Sequence, residues 1–195
     1  MNCHHFIGLY LRWLKVRMVE KGVVFDKTGT YRYRLWRVWN GSAPTVGFIM
    51  LNPSTADDTV DDPTIRRCIA FARAWGYGAL EVVNLFAYRS THTADLRRAE
   101  DPVGRENDRY LRELQQRVQQ IIVAWGNLGA WQNRDQAVIR CLSPGLRSQR
   151  DLHCLGTTLA GYPRHPLYLR KDTLPLRFPV NQAPIGNSDS STRTP

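Results

Sequence analysis

Lysine is scarce in this chain of 195 residues: only Lys15, Lys21, Lys27 and Lys171 occur, so arginine supplies nearly all of the 27 basic residues. Cysteine is equally sparse. Cys3, Cys68, Cys141 and Cys154 stand far apart, and no C-x-x-C pair is present to hold zinc or an iron–sulfur cluster. Free thiols in a reducing cytoplasm are the expectation. No apolar run is long enough to span a bilayer, because the stretch 6–19 is broken by Arg12, Lys15 and Arg17. That stretch also lacks the small-residue cleavage site of a secretory signal. Met18 offers an alternative start, which would make residues 1–17 an extension. No internal repeat is visible.

What is present is a strong positive balance. With 17 acidic residues the formal net charge is +10, and polyanionic partners gain from such a surface by counterion release. Arginine suits bidentate phosphate contacts, although a GC-rich genome produces the same bias. The length fits one α/β domain with a sizeable core. The expected organisation is an extension over 1–17, a single domain over 18–181 and a Pro-, Ser-, Asn- and Thr-rich disordered tail over 182–195.

Hydrophobic patterning predicts the architecture. Residues 31–39 alternate aromatic or aliphatic side chains with arginine and stop at Asn40-Gly41, predicting an edge strand whose basic face meets solvent. The runs 45–51, 80–85 and 120–125 carry no alternation, as strands covered on both faces do. A helix over 63–75 opens with Asp62 as N-cap and Pro63 at its first position. Further helices are expected over 106–119 and 130–142, and a short strand over 152–156. The fold class is therefore three-layer αβα with a mainly parallel central sheet, in which ligands collect at the carboxyl ends of the strands.

The loops at that edge hold the candidate residues. In Leu51-Asn52-Pro53-Ser54, the Asn-Pro pair aims an amide either into the crevice or into a plain turn. Asp57, Asp58, Asp61 and Asp62 follow closely; Asp62 is explained as a cap, whereas Asp58 and Asp61 are candidates for the chemistry or for solvated positions. After the second buried run, Asn84 presents a donor and an acceptor suited to a base edge, and Phe86 and Tyr88 serve either to stack on a base or to pack. His165 is locked near Pro163 and Pro166, where an imidazole can stabilise negative charge on a leaving base. Arg164, Leu167 and Tyr168 surround it as a basic, apolar projection able to wedge into a stack.

The motifs Leu51-Asn52-Pro53, Val83-Asn84-Leu85, Val123-Ala124-Trp125-Gly126 and Arg164-His165-Pro166-Leu167 follow the order found in the uracil-DNA glycosylase superfamily, which the chain resembles over residues 45–169. Residues 84–100, including Arg89, are similar to the family's segment after its second strand. The chain also resembles a bacterial and phage family known only as a domain of unknown function, through residues 51–57, 61–67 and 165–168. The glycosylase resemblance implies Asn52 orienting the attacking water, Asn84 reading the base and His165 stabilising the departing anion, with Asp58 or Asp61 assisting. Ser54, Phe86 and Tyr88 join Asn84 at the substrate; Arg89, Arg164, Leu167 and Tyr168 meet DNA. The family's leading glycine is replaced by Met50 or Leu51, and the serine after its His-Pro by Leu167. A bulkier modified pyrimidine, such as those in phage DNA, is then a better expected substrate than uracil.

The expected protein is thus a cytoplasmic, monomeric DNA glycosylase without metal or cofactor. It would flip a base from double-stranded DNA and leave an abasic site, in repair or antiviral defence. The rivals are a hydrolase of free nucleosides or nucleotides and a non-catalytic reader of modified DNA.

Overall fold

The computed structural model describes residues 20–143 and 152–179. The proposed extension over 1–17 and tail over 182–195 lie outside them, as does Cys3. Strands β1 (Glu20–Phe25), β2 (Arg32–Val38), β3 (Thr45–Met50), β4 (Ala79–Asn84), β5 (Gln120–Val123), β6 (Leu152–Cys154) and β7 (Leu176–Arg177) form one sheet. Their order is β1-β2-β4-β3-β5-β6-β7. The four central strands β4, β3, β5 and β6 are parallel; β2 on one side and β7 on the other run antiparallel to them, and the outermost β1 is antiparallel to β2. The chain leaves β3 toward β4 and later returns on the opposite side of β3 to form β5. The loops after β3 and β5 therefore diverge, and a crevice at the carboxyl ends follows from that reversal.

Helix α1 (Pro63–Ala74) covers one face, burying Ile65, Cys68, Ile69, Phe71 and Ala72 against Phe48, Leu80, Val82 and Ile122. As expected, the Asp62 carboxylate accepts the Ile65 amide at 2.8 Å; a cap of this kind stabilises a helix by about 1 kcal/mol. Helices α3 (Asn107–Arg117) and α4 (Arg134–Leu142) cover the other face with Leu111, Leu114, Val138 and Ile139. The short helix α2 (Thr93–Arg98), which the sequence pattern did not reveal, adds Leu96 to that second core. The third expected helix begins later than 130, because residues 127–133 form a kinked 3-10 segment in which Gln132 and Asn133 adopt positive φ. No helix among the described residues is long and apolar enough to cross a membrane.

Two expectations about β2 are corrected. It is not an edge strand, because β1 pairs along its outer side while β4 pairs along the other. Nor do its arginines form a solvated face: Arg32 and Arg37 are 2% and 1% exposed. A bulge explains Arg32, whereas Arg37 shares the buried face of Leu35 and Trp39 by plain alternation. Val24 pairs with Arg34 and Phe25 with Arg32, so Tyr33 is an extra residue on β2. That slip lets Tyr33 stack on Tyr110 of α3, with centroids 5.3 Å apart, while Arg32 reaches the loop before α1 and donates to the Ala56 carbonyl at 2.7 Å.

Candidate active-site clefts at the carboxyl edge

The loop after β3 is held from below by arginine. Arg37 donates from Nε to Asp61 Oδ1 at 2.8 Å and also bonds the carbonyls of Gly22, Trp36 and Asp57. Asp61 is thus half-buried in an ion pair rather than free for chemistry. Asp57 accepts from the amides of Thr59 and Val60, and these bonds hold its carboxyl down at about 2. Asp58 is exposed. The carboxylate that matters electrostatically is Asp62. Its charge raises the pKa of both Arg32 and His165. Burial nevertheless pushes the Arg32 guanidinium down to about 10.

Asn52 performs a job that its type did not announce. Its Nδ2 donates to the carbonyls of Pro53 and Ser90 and to Ser90 Oγ, at 3.1, 2.9 and 3.0 Å. The amide ties the loop after β3 to the loop after β4, reinforced by Ser90 N donating to Pro53 O at 2.9 Å. Its Oδ1 bonds no described group and stays available as an acceptor.

The loop after β4 is fixed from the α3 and α4 side. Asn107 Nδ2 donates to the carbonyls of Asn84 and Leu85, and Arg134 Nε donates to Leu85 O at 2.8 Å. Asn84 itself is buried, and its Nδ2 has no hydrogen-bond partner. Phe86 is fully buried against the Trp131 ring at 5.0 Å, which settles its role as packing rather than stacking on a ligand. Tyr88 and Arg89, by contrast, meet Ser54 in an open cleft of about 360 Å³, together with Thr30 of the β1–β2 turn.

A second cleft, of about 320 Å³, opens between the loops after β5 and β6. Trp125, Leu128 and Leu169 give it apolar walls, and Asn127, Arg164 and His165 give it polar ones. The Trp125 indole packs so closely on Gly129 that a Cβ there would lie 2.0 Å from the ring, so the wall cannot shift inward. The 3-10 turn Pro166–Tyr168 begins at His165, whose Nδ1 accepts the Leu167 amide at 3.3 Å. An Nδ1 that accepts carries no proton, so the neutral ring holds its hydrogen on Nε2. Burial depresses the His165 pKa, with Asp62 opposing, which keeps that neutral form. Leu167 is half-buried, whereas Tyr168 is exposed beside the cleft. Leu159 is fully exposed at the tip of the turn bridged by Thr157 and Pro163.

The sequence-predicted residues therefore divide. Ser54, Tyr88 and Arg89 line one cleft, and Arg164, His165 and Tyr168 the other. Asn52 and Asn84 stand at the same carboxyl edge but line neither. Arg32, Asp62, Trp125 and Asn127 were missed. The Trp125-Gly126-Asn127 sequence after a buried strand was the available signal for the last two, whereas Arg32 depends on a bulge that residue order does not show. Among the described residues, no group of three or more His, Cys, Asp and Glu side chains could hold a metal ion. Residues 32–167 match the family model described as a protein of unknown function (DUF1643). No curated protein and no solved structure matches the chain.

Proposed function

The chain belongs to this family of proteins of unknown function, DUF1643, whose description names no reaction; we propose from the site itself that it hydrolyses the N-glycosidic bond of a modified pyrimidine nucleotide in DNA. The observation that carries the reading is the His165 imidazole, held neutral with its hydrogen on Nε2 beside an aromatic-walled cleft. A departing pyrimidine anion needs a donor that is not itself a strong acid. A fixed neutral imidazole supplies one without adding a buried cation. Tyr168, exposed beside the cleft, offers a ring to the base, the buried Trp125 indole backs the wall, and Asn127, whose Oδ1 accepts from Thr158 at 2.7 Å, keeps its amide hydrogens for the base edge.

In the reaction the bond between the sugar C1′ and the base nitrogen breaks, water adds its oxygen to C1′, and its proton reaches the base. The resemblance assigns the orienting of that water to Asn52, whose Oδ1 is free to accept but which stands at the same carboxyl edge outside the His165 cleft; an amide is too weak a base to deprotonate water beforehand. The Asp62 carboxylate, which caps α1 and whose charge acts on His165, favours positive charge developing on the sugar through the same field. Asn84, which the resemblance assigns to reading the base, is buried and lines neither cleft, so its unpaired Nδ2 carries no part of this reading. The resemblance to the uracil-DNA glycosylase superfamily points to His165 and Asn52 as well, but to Asp58 or Asp61 rather than Asp62.

The test is incubation with natural and phage-modified DNAs, followed by mass spectrometry of released bases. His165→Ala should slow release roughly 10²–10³-fold. Release at the wild-type rate in that variant would remove the mechanism. Release from free nucleotides alone would move the substrate from DNA to small molecules.

A further inference from the structure

The cleft around Arg89 has no part in this chemistry, and its composition is unlike that of the His165 cleft. Hydroxyls of Thr30, Ser54, Thr55, Ser90 and Thr91 line it with the Arg89 guanidinium, and no carboxylate does. One hydroxyl oxygen already accepts. Ser90 Oγ takes a hydrogen from Asn52 Nδ2 at 3.0 Å, which leaves its own O–H to donate. The Thr30 hydroxyl is engaged, because Thr28 gives its single hydrogen to Asp26 and so accepts from Thr30 Oγ1 at 2.8 Å. Ser54, Thr55 and Thr91 make no side-chain hydrogen bond among the described residues, so their hydroxyls are also uncommitted.

Arg89 is held in place without being used up. Its Nη1 donates to Gly29 O at 2.9 Å and its guanidinium lies 4.6 Å over the Phe25 ring. Its Nε has no hydrogen-bond partner, and Nη2 bonds no described group. Arg32 lies close enough for the two positive charges to interact unfavourably, an arrangement that a bound anion would relieve. The Asp57 carboxylate opposes this field but is engaged by its own turn.

A site that offers many donors and a fixed guanidinium selects an anionic acceptor. A carboxylate presents two oxygens in one plane, whereas a phosphate, monoester or diester, arranges four around a tetrahedral centre and suits donors arriving from three different loops. The volume of about 360 Å³ exceeds what a bare phosphate fills and leaves room for an attached nucleoside. We propose that this cleft binds the phosphoryl group of a nucleotide, supplied either by a free nucleotide or by a diester of a DNA strand. The site goes beyond the glycosidase reading, because it would persist in a protein that releases no base.

Calorimetric titration with thymidine, thymidine monophosphate and a short single-stranded oligothymidylate tests it, since none of these carries a modified base. Binding of a phosphate-bearing probe should be about 10- to 100-fold tighter than binding of thymidine. The gain should shrink in Arg89→Gln and in the double variant Thr55→Val/Thr91→Val, which leaves the Arg89 anchors untouched. Monophosphate binding identifies a free nucleotide as sufficient; oligonucleotide binding alone identifies the strand diester. Equal affinity for thymidine and both phosphate probes, or undiminished phosphate binding in both folded variants, would overturn the proposal. Failure of base release leaves every one of these readouts intact.

Discussion

Replacing Asp61 by alanine separates a structural carboxylate from a catalytic one. The substitution strands the Arg37 guanidinium, which is 1% exposed, with only the carbonyls of Gly22, Trp36 and Asp57 around it. Carbonyl dipoles solvate a cation but do not neutralise it. Removing one partner of a fully buried pair costs about 3–5 kcal/mol. Asp61 is 24% exposed, so water reaches the vacated place and the expected loss falls to about 2–3 kcal/mol. In a chain of this size each kcal/mol lowers the melting temperature by about 2–4 °C, giving a drop of roughly 5–10 °C. Urea unfolding should show an earlier midpoint with an unchanged slope. Asp61→Asn keeps an oxygen acceptor for Arg37 Nε and should lose about half as much. Arg37→Met combined with Asp61→Leu should recover most of the stability, because an apolar pair replaces a charged one. Wild-type stability in Asp61→Ala together with abolished base release would refute the reasoning and give Asp61 to the chemistry.

Titration of His165 provides a second check. Its folded pKa lies below the ordinary 6.5, so the unfolded chain binds more protons between those two values. The contribution to stability is therefore complete above pH 6.5 and is lost as pH falls toward the folded value, and base release should persist below pH 6.5 on its acid side. An imidazole NMR titration at or above 6.5 would contradict both statements. Gly78→Ala should destabilise by about 3 kcal/mol, because a Cβ there would sit 1.9 Å from the Asn40 carbonyl oxygen where β2 and β4 converge. Gly41→Ala, with nothing within 4 Å of the added carbon, is the matched control and should be neutral in the same urea experiment.

The parallel core was legible because uninterrupted apolar runs mark strands covered on both faces: β3 and β5 lie within the expected stretches, and β4 begins one residue before its own, at Ala79. Helix α1 was legible to its first residue, since Asp62-Pro63 specifies a cap and a starting φ together. β2 misled for a physical reason. Alternation predicts which side chains share a face only while the pairing stays in register, and the extra residue Tyr33 breaks that phase. Arg32, expected in water, is turned by it to the face of Arg37, which alternation with Leu35 and Trp39 already places inward, and both support the loop before α1. At the site, residue type located the edge but not the partners: nothing in Asn52-Pro53 shows that Ser90 takes up its amide. Phe86 was ambiguous because an aromatic residue after a buried strand fits a core and a pocket equally well.

The Asn52 tie also bears on how the protein chooses among ligands. Two rims joined by a side-chain amide and a backbone bond cannot be widened by swinging one alone, because that motion strands the Asn52 hydrogens away from water. This edge is consequently a template rather than a glove. Discrimination between a plain and a decorated nucleotide falls to the side chains that stand on the rims, and exchanging Thr55 or Thr91 alters preference without remodelling the backbone beneath.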